Sequence, residues 1–229
     1  MCDSGTITVM TDDDASARLE AARLTASVED RASVRRFLPD PVSRDDVRAM
    51  VGLAVRAANA GNAQMWRFVA VEDGSVRAAM KDVVDAALDE MAAWPELAGM
   101  GSRIKALRAY ATFFAVAPLV MAVFVLPYVS DADEMLRARA LGVEDRDRLR
   151  ARPDLQSIGA AVQLLCTAAH ALGYGSCWMT APVLAAPAIE RLLAVDPEAR
   201  LVALVPLGRP AGAVTPASRL PLDDVLDFR

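Results

Sequence analysis

The chain is short of several things, and each shortage removes a class of protein. Its 229 residues include one histidine, His170, and three cysteines, Cys2, Cys166 and Cys177. One imidazole cannot build a multi-histidine metal centre. Three cysteines without a C-x-x-C pair make no disulfide framework, which points to a reducing compartment. Basic charge is also scarce: 25 Lys and Arg against 30 Asp and Glu leave a net charge of −5. That is the wrong balance for a nucleic-acid protein. No apolar run is long enough to span a bilayer: Ala115–Val129 is too short and is broken by Pro118 and Pro127. Residues 1–14 lack the basic flank and apolar stretch of a signal peptide and contain Asp3, Asp12, Asp13 and Asp14. A cytoplasmic protein is expected, with no metal, no membrane and no nucleic-acid partner.

What the chain does have is apolar material. At 54% apolar and 24% charged residues, it can bury one large core or two small ones. Residues 1–14 are expected to be a flexible N-terminus, with a single domain over 15–229. A helix is predicted over residues 15–30. Ser43 then caps a second helix, with Asp45 and Asp46 in its first turn and Val47, Met50, Val51, Ala54 and Val55 at helical spacing. It should end near Ala58, where Asn59-Ala60-Gly61-Asn62 supplies turn chemistry.

Trp66–Val71 reads as a strand, and Ser75–Ala93 as a helix. Pro118–Leu126 and Leu201–Leu207 are continuous apolar strands, the pattern of a sheet covered on both faces. Asp154–Leu172 reads as a central buried helix closed by Gly173 or Gly175, and Pro187–Val195 as a short helix. The tail 211–229 looks irregular. Strands alternating with helices leave α/β and α+β both open. The charged block 131–152 reads as an exposed helix or lid.

Three segments carry chemistry. In Arg31-Ala32-Ser33-Val34-Arg35-Arg36-Phe37, guanidinium forks and a hydroxyl suit a phosphate, although an isolated segment of this kind also describes a solvated basic turn. Asn59, Asn62 and Gln64 offer paired donors and acceptors between a helix and a strand, or simply cap and turn. Gly173-Tyr174-Gly175-Ser176-Cys177-Trp178-Met179-Thr180-Ala181-Pro182 lets the chain double back after the central helix. Two other arrangements are rejected. Cys166 and His170 share a helix face, but on an apolar helix where a cysteine is core. The G-x-G of Gly173 and Gly175 lacks the third glycine and following helix of a dinucleotide fingerprint.

Taken in order, these segments resemble the nitroreductase family of flavin-dependent oxidoreductases. The family's R-R-S-x-R-x-F is matched by Arg31 to Phe37, and its N-x-Q-P-W-x-F by Asn62-Ala63-Gln64-Met65-Trp66-Arg67-Phe68. The central alanine-rich helix is matched by Gly159 to Gly173, the W-x-x-x-P spacing by Trp178 and Pro182, and the final strand by Val202 to Pro210. The likeness covers about residues 15 to 222.

The resemblance implies an α+β fold with a central, mostly antiparallel sheet flanked by helices, in an intertwined homodimer. It implies FMN at the subunit interface, NADH or NADPH as reductant, and a nitroaromatic, quinone or similar acceptor. No side chain is required as an acid or base, because the flavin does the chemistry. By the same resemblance Arg31, Ser33 and Arg35 hold the FMN phosphate and ribityl chain, with Ala32 contributing backbone only. Arg219 reaches the phosphate, and Asn59 and Asn62 come from the partner subunit. Met179, Thr180 and Ala181 face the ring system, with an N–H directed at N5.

This chain departs from the pattern at Ala32 (arginine in the family), Asn59 (serine), Met65 (proline) and Thr180-Ala181 (an acidic residue and glycine in some members). Residues 91–152 match no motif and correspond to the family's variable lid, with Trp94, Tyr110, Phe113 and Phe114 as candidates for stacking or core packing. Specialised members of the same fold destroy flavin, dehalogenate or dehydrogenate, and a non-catalytic flavin store or sensor is a further alternative.

Overall fold

The computed structural model describes Ala22 and residues 25–229. The expected flexible terminus and most of the first predicted helix lie outside that range; within it, residues 25–29 are helical.

β1 (Trp66–Val71), β2 (Leu119–Val125), β3 (Gly175–Ser176) and β4 (Arg200–Gly208) form one sheet in the order β1-β2-β4-β3. Every pairing is antiparallel, so the fold is α+β. β2 lies in the middle and is buried along its whole length. Its alternate residues feed two cores. Met121, Val123 and Val125 join Ala203 and Val205 on one face, while Val120, Ala122 and Phe124 join Leu201 and Leu204 on the other. The register slips between Val123 and Phe124, which pair with Ala203 and Leu201, leaving Val202 as the extra residue of a β-bulge.

The first core is closed by α1 (Arg44–Ala54) and α6 (Pro153–Ala171), through Met50, Ala54, Ile158, Val162 and Leu165. The second is closed by α2 (Gly74–Ala92), α3 (Gly101–Thr112) and α7 (Ala186–Leu192), through Met80, Val84, Leu88, Ala111 and Ile189. Both faces are covered, as the unbroken apolar strands require.

Local signals explain the boundaries. Ser43 accepts from the Asp45 and Asp46 N–H groups, and Asp73 accepts from Ser75 N–H at 2.7 Å. Both are side-chain N-caps. α1 ends four residues before the expected Ala58. Its last turn tightens, with Arg56 N–H donating to Leu53 and Ala57 N–H to Ala54.

Gly173, at φ +78°, ends α6: Tyr174 N–H reaches back to the Ala169 carbonyl at 2.8 Å, a Schellman closure. Arg209 reinforces it, donating to the Leu172 and Gly173 carbonyls at 3.1 and 3.0 Å. The Arg209 guanidinium also lies 4.2 Å from the Tyr174 ring centroid. Ala186–Leu192 replaces the expected helix Pro187–Val195, because a 3-10 turn over Ala181–Ala185 leads into it.

Between residues 91 and 152 the chain is not uniform. It includes the central strand β2 and the fully buried Phe114, so only the stretches on either side have the exposure a lid needs. The charged block forms two helices, α4 (Asp131–Ala138) and α5 (Val143–Arg150).

Candidate functional site

The Arg31–Phe37 segment is fixed to the short edge of the sheet. Ser33 bridges Ser176 of β3 in parallel, and Phe37 bridges Pro210. Val34 N–H donates to the Ser176 carbonyl at 2.9 Å, Leu38 N–H to Arg209 at 2.8 Å, and Ala211 N–H to Arg36 at 3.0 Å. The approach is close because β3 has no side chain at Gly175: a Cβ there would stand 2.5 Å from Val34 Cγ2. Gly208 serves the same purpose, since a Cβ would fall 2.6 Å from Pro118 Cγ.

This docking places Arg31 and Ser33 on the wall of a cleft of about 280 Å³ shared with Gln163, Cys166, Trp178 and Thr180. Arg31 makes no hydrogen bond or ion pair among the described residues and is only partly exposed. A guanidinium held in a cleft without a counter-ion is a ready anion donor. The neighbouring thiols are not nucleophiles. Cys166 and Cys177 are buried, and burial pushes both thiols up from their ordinary value. Cys166 sits against Ser176, and Cys177 against Ser33. A Cys166–His170 nucleophile has no thiolate to work with.

Met179 is tied into the sheet. Its N–H donates to Leu204 at 2.9 Å and its carbonyl accepts from Leu204 at 3.0 Å. The open donors in this stretch are therefore the N–H groups of Thr180 and Ala181, at the unsatisfied start of the 3-10 turn. Trp178 is half-exposed and lies across Gly159, where a Cβ would meet its ring at 3.4 Å.

Not all expected site residues gather here. Arg35 is exposed and spends its guanidinium on Tyr110, donating to the hydroxyl at 2.7 Å and standing 5.2 Å from the ring centroid. Tyr110 is in turn edge-to-face with Phe113. Arg219 donates to Ala217 and Ser218 in its own turn and does not line this cleft.

The Asn59 side chain holds its loop together, accepting from Gln64 N–H at 2.9 Å and donating to Ala57 at 3.2 Å. The loop is pinned by Ala60 N–H on Ser157 Oγ at 3.0 Å. Asn62 is exposed at φ +50°. Ser157 and Cys166 are nine residues apart on α6, about 13 Å along its axis, so within one chain the asparagine loop and the Arg31 cleft lie at different heights on that helix. Sequence reading missed the placement of Trp178, Gln163 and Cys166 around Arg31; Gln163 and Cys166 share one helix face, which the helical spacing alone could have supplied.

Comparison with known proteins agrees with this architecture. The sequence model described as Nitroreductase family matches residues 28–209. A 5,6-dimethylbenzimidazole synthase of Rhodospirillum rubrum is 39% identical over 59 residues, a match that spans 26% of this chain and 28% of the synthase. A BluB-like flavoprotein from Clostridium difficile 630 superposes with a TM-score of 0.81 at 28% identity, over 90% of this chain and 98% of that one. A nitroreductase with bound FMN from Desulfitobacterium hafniense DCB-2 superposes with a TM-score of 0.67 at 19% identity, over 90% and 98%. With the family pattern matched across most of its length and the same sheet and helices beneath it, the chain belongs to the Nitroreductase family, whose members are oxidoreductases.

Proposed function

We propose that the protein is an FMN-dependent oxidoreductase that works as a homodimer, takes reducing equivalents from NADH or NADPH, and passes them to a small organic acceptor such as a nitroaromatic or quinone. The observation that carries this reading is Arg31, an uncompensated guanidinium beside the Ser33 hydroxyl in a cleft whose far wall is Trp178 and Thr180. That donor set fits a phosphate joined to a polyol and a flat heterocycle.

When bound, FMN supplies the hydride transfer. The chain's own residues bind and orient it. Arg31 and Ser33 grip the phosphate, with Ala32 giving only backbone. Thr180 and Ala181 hold N–H donors toward N5, while Met179 keeps them in place through its two bonds to Leu204. Arg35 and Arg219 add to phosphate binding only by giving up their bonds to Tyr110 and to Ala217 and Ser218.

The asparagine loop, remote from Arg31 within one chain, completes the partner's site through Asn59 and Asn62. The apolar surface for such a dimer is present: Leu53 on α1 and Leu155 and Leu164 on α6 are exposed on helices whose other faces are core. The exposed stretches on either side of β2, between residues 91 and 152, are proposed as the lid over the acceptor. No helix of the described residues is long and apolar enough to cross a membrane, and a cytoplasmic location fits the two buried free thiols.

A second reading has its own support. The identities to a dimethylbenzimidazole synthase and to a BluB-like flavoprotein favour a specialised member that consumes its flavin. One experiment separates the two. Purified protein is loaded with FMN, reduced with NADH or NADPH without air, then exposed to air. Recovery of the oxidised flavin spectrum over repeated cycles supports turnover; stoichiometric loss of flavin absorbance supports consumption. Protein that takes up no FMN overturns both.

A further inference from the structure

A second, separate cluster of arginines lines a cleft of about 200 Å³ between α4, α5 and the start of α6, with Tyr128 also in its lining. Four guanidinium groups (Arg137, Arg146, Arg150 and Arg152) face three carboxylates (Asp133, Asp147 and Asp154). Two of the carboxylates, Asp133 and Asp154, are already taken by hydrogen bonds, and Asp147 has a longer ion pair. Arg150 donates to Asp133 Oδ1 at 2.8 Å and to Ser130 Oγ at 2.9 Å. Both Asp133 oxygens are used, because Ser130 N–H and Oγ–H donate to Oδ2 at 2.9 and 2.6 Å. Arg152 grips Asp154 through two bonds of 3.0 and 2.8 Å and lies 3.6 Å from Asp147.

Two cations are left over. Arg137 and Arg146 have no hydrogen bond or ion pair among the described residues. Arg146 Nε is sealed from solvent with no partner, an unfavourable state for a charged donor. Such a donor calls for an acceptor that the described residues do not provide.

The surrounding frame is rigid enough to hold it. Ser130 and Asp133 form a reciprocal capping box on α4, and Arg150 ties α5 to that cap. Ala151 and Arg152 both sit at positive φ, 52° and 51°, and turn the chain sharply into α6 at Pro153. Arg137 on α4 and Arg146 on α5 thus both line the cleft within this frame. We propose that this cleft is an oxyanion subsite, in which Arg137 and Arg146 clamp the phosphoryl or carboxylate group of a small ligand. The volume is below the ~300 Å³ at which pockets for drug-sized ligands begin, so it takes a head group while the remainder of the ligand stays outside. The subsite is built from residues of one chain and does not depend on flavin binding.

Calorimetric titration with pyrophosphate and, separately, with citrate tests it, using FMN-free protein in a buffer without oxyanions. The wild type, Arg137→Gln, Arg137→Gln/Arg146→Gln and Arg31→Gln are compared, because Arg31 is the other place where phosphate could bind. The expected result is a binding event that weakens about tenfold for each clamp arginine removed and persists in Arg31→Gln, whatever second event the Arg31 cleft contributes in the wild type. Whichever probe binds more tightly identifies the ligand as phosphorylated or carboxylated. Arg137 is exposed and unpaired, so its single variant folds even if the double variant does not. Absence of binding by both probes, or binding that survives in Arg137→Gln and disappears in Arg31→Gln, overturns the proposal.

Discussion

Gly175→Ala is the sharpest test of how the proposed cofactor segment is held. The glycine is not needed for its backbone angles, which are ordinary; it is needed for room. A methyl placed there meets Val34 Cγ2, Cβ and Cγ1 at 2.5, 2.6 and 2.8 Å, against about 3.5–4.0 Å for carbons in comfortable contact. The 31–37 segment must therefore retreat by about 1 Å. The Val34-to-Ser176 bond of 2.9 Å then stretches beyond hydrogen-bonding range, a loss of about 1 kcal/mol. Overpacking adds about 1–3 kcal/mol. The expected destabilisation is about 2–4 kcal/mol, or roughly 4–16 °C in Tm for a domain of this size. FMN affinity should fall alongside, because Arg31 and Ser33 move with the segment. Urea denaturation and FMN titration of the same preparation measure both effects. Val34→Ala in the same chain should restore only part of the loss, since it removes two of the three crowded atoms and leaves Cβ. A Gly175→Ala cost under about 0.5 kcal/mol, the range of an inconsequential surface change, would refute the reasoning.

Four further outcomes follow from the structure. Arg31→Gln should weaken FMN binding by about tenfold or more with little effect on stability, because the side chain has no partner to lose among the described residues; Arg35→Gln should weaken it less, as titrations of each will tell. Arg209→Gln should lower stability by about 1–2 kcal/mol in urea denaturation, through loss of the carbonyl cap on α6 and the stacking on Tyr174. Asp133 is held well below the usual carboxylate range, first by the hydrogen bond from Arg150. Its folded pKa is depressed, so its contribution is complete above the unfolded value near 3.8 and drains away as pH falls toward the folded one. Asp133→Asn should therefore be less stable than wild type at about pH 6, with the gap narrowing progressively as pH falls below about 4. Cys166 and Cys177 should resist alkylation in the native protein at mildly alkaline pH and react fully in denaturant, scored by mass spectrometry; Cys166→Ala should keep its flavin.

Much of the core was legible because its signals are local. The unbroken apolar runs of β2 and β4, the Ser43 cap and the Gly173 stop each depend on a few neighbouring residues. The docking of the Arg31 segment was not legible as geometry, because its partner β3 is two residues long and lies some 140 positions away. Residues 131–152 read as a charged exposed block, and their charge count is real. What the count hides is the pairing: around the cleft Arg150 and Arg152 engage Asp133, Asp147 and Asp154, and the other two lining arginines, Arg137 and Arg146, have no ion pair among the described residues. Likewise Arg35 belongs to a phosphate-like motif by spacing, yet a tyrosine 75 residues later takes its guanidinium.

The segment bearing Arg31 and Ser33 is attached at the margin of the sheet by three backbone hydrogen bonds, whereas β1, β2 and β4 form a continuous ladder between two sealed cores. The two parts need not come apart together. Fraying of the margin exposes little apolar surface and leaves the ladder whole, so amide exchange should be fastest over residues 31–38 and slowest along β2. A molecule built this way can release what its margin grips and still be folded by every optical measure. Its working lifetime is then set by how often that margin opens, a quantity that a melting curve does not report.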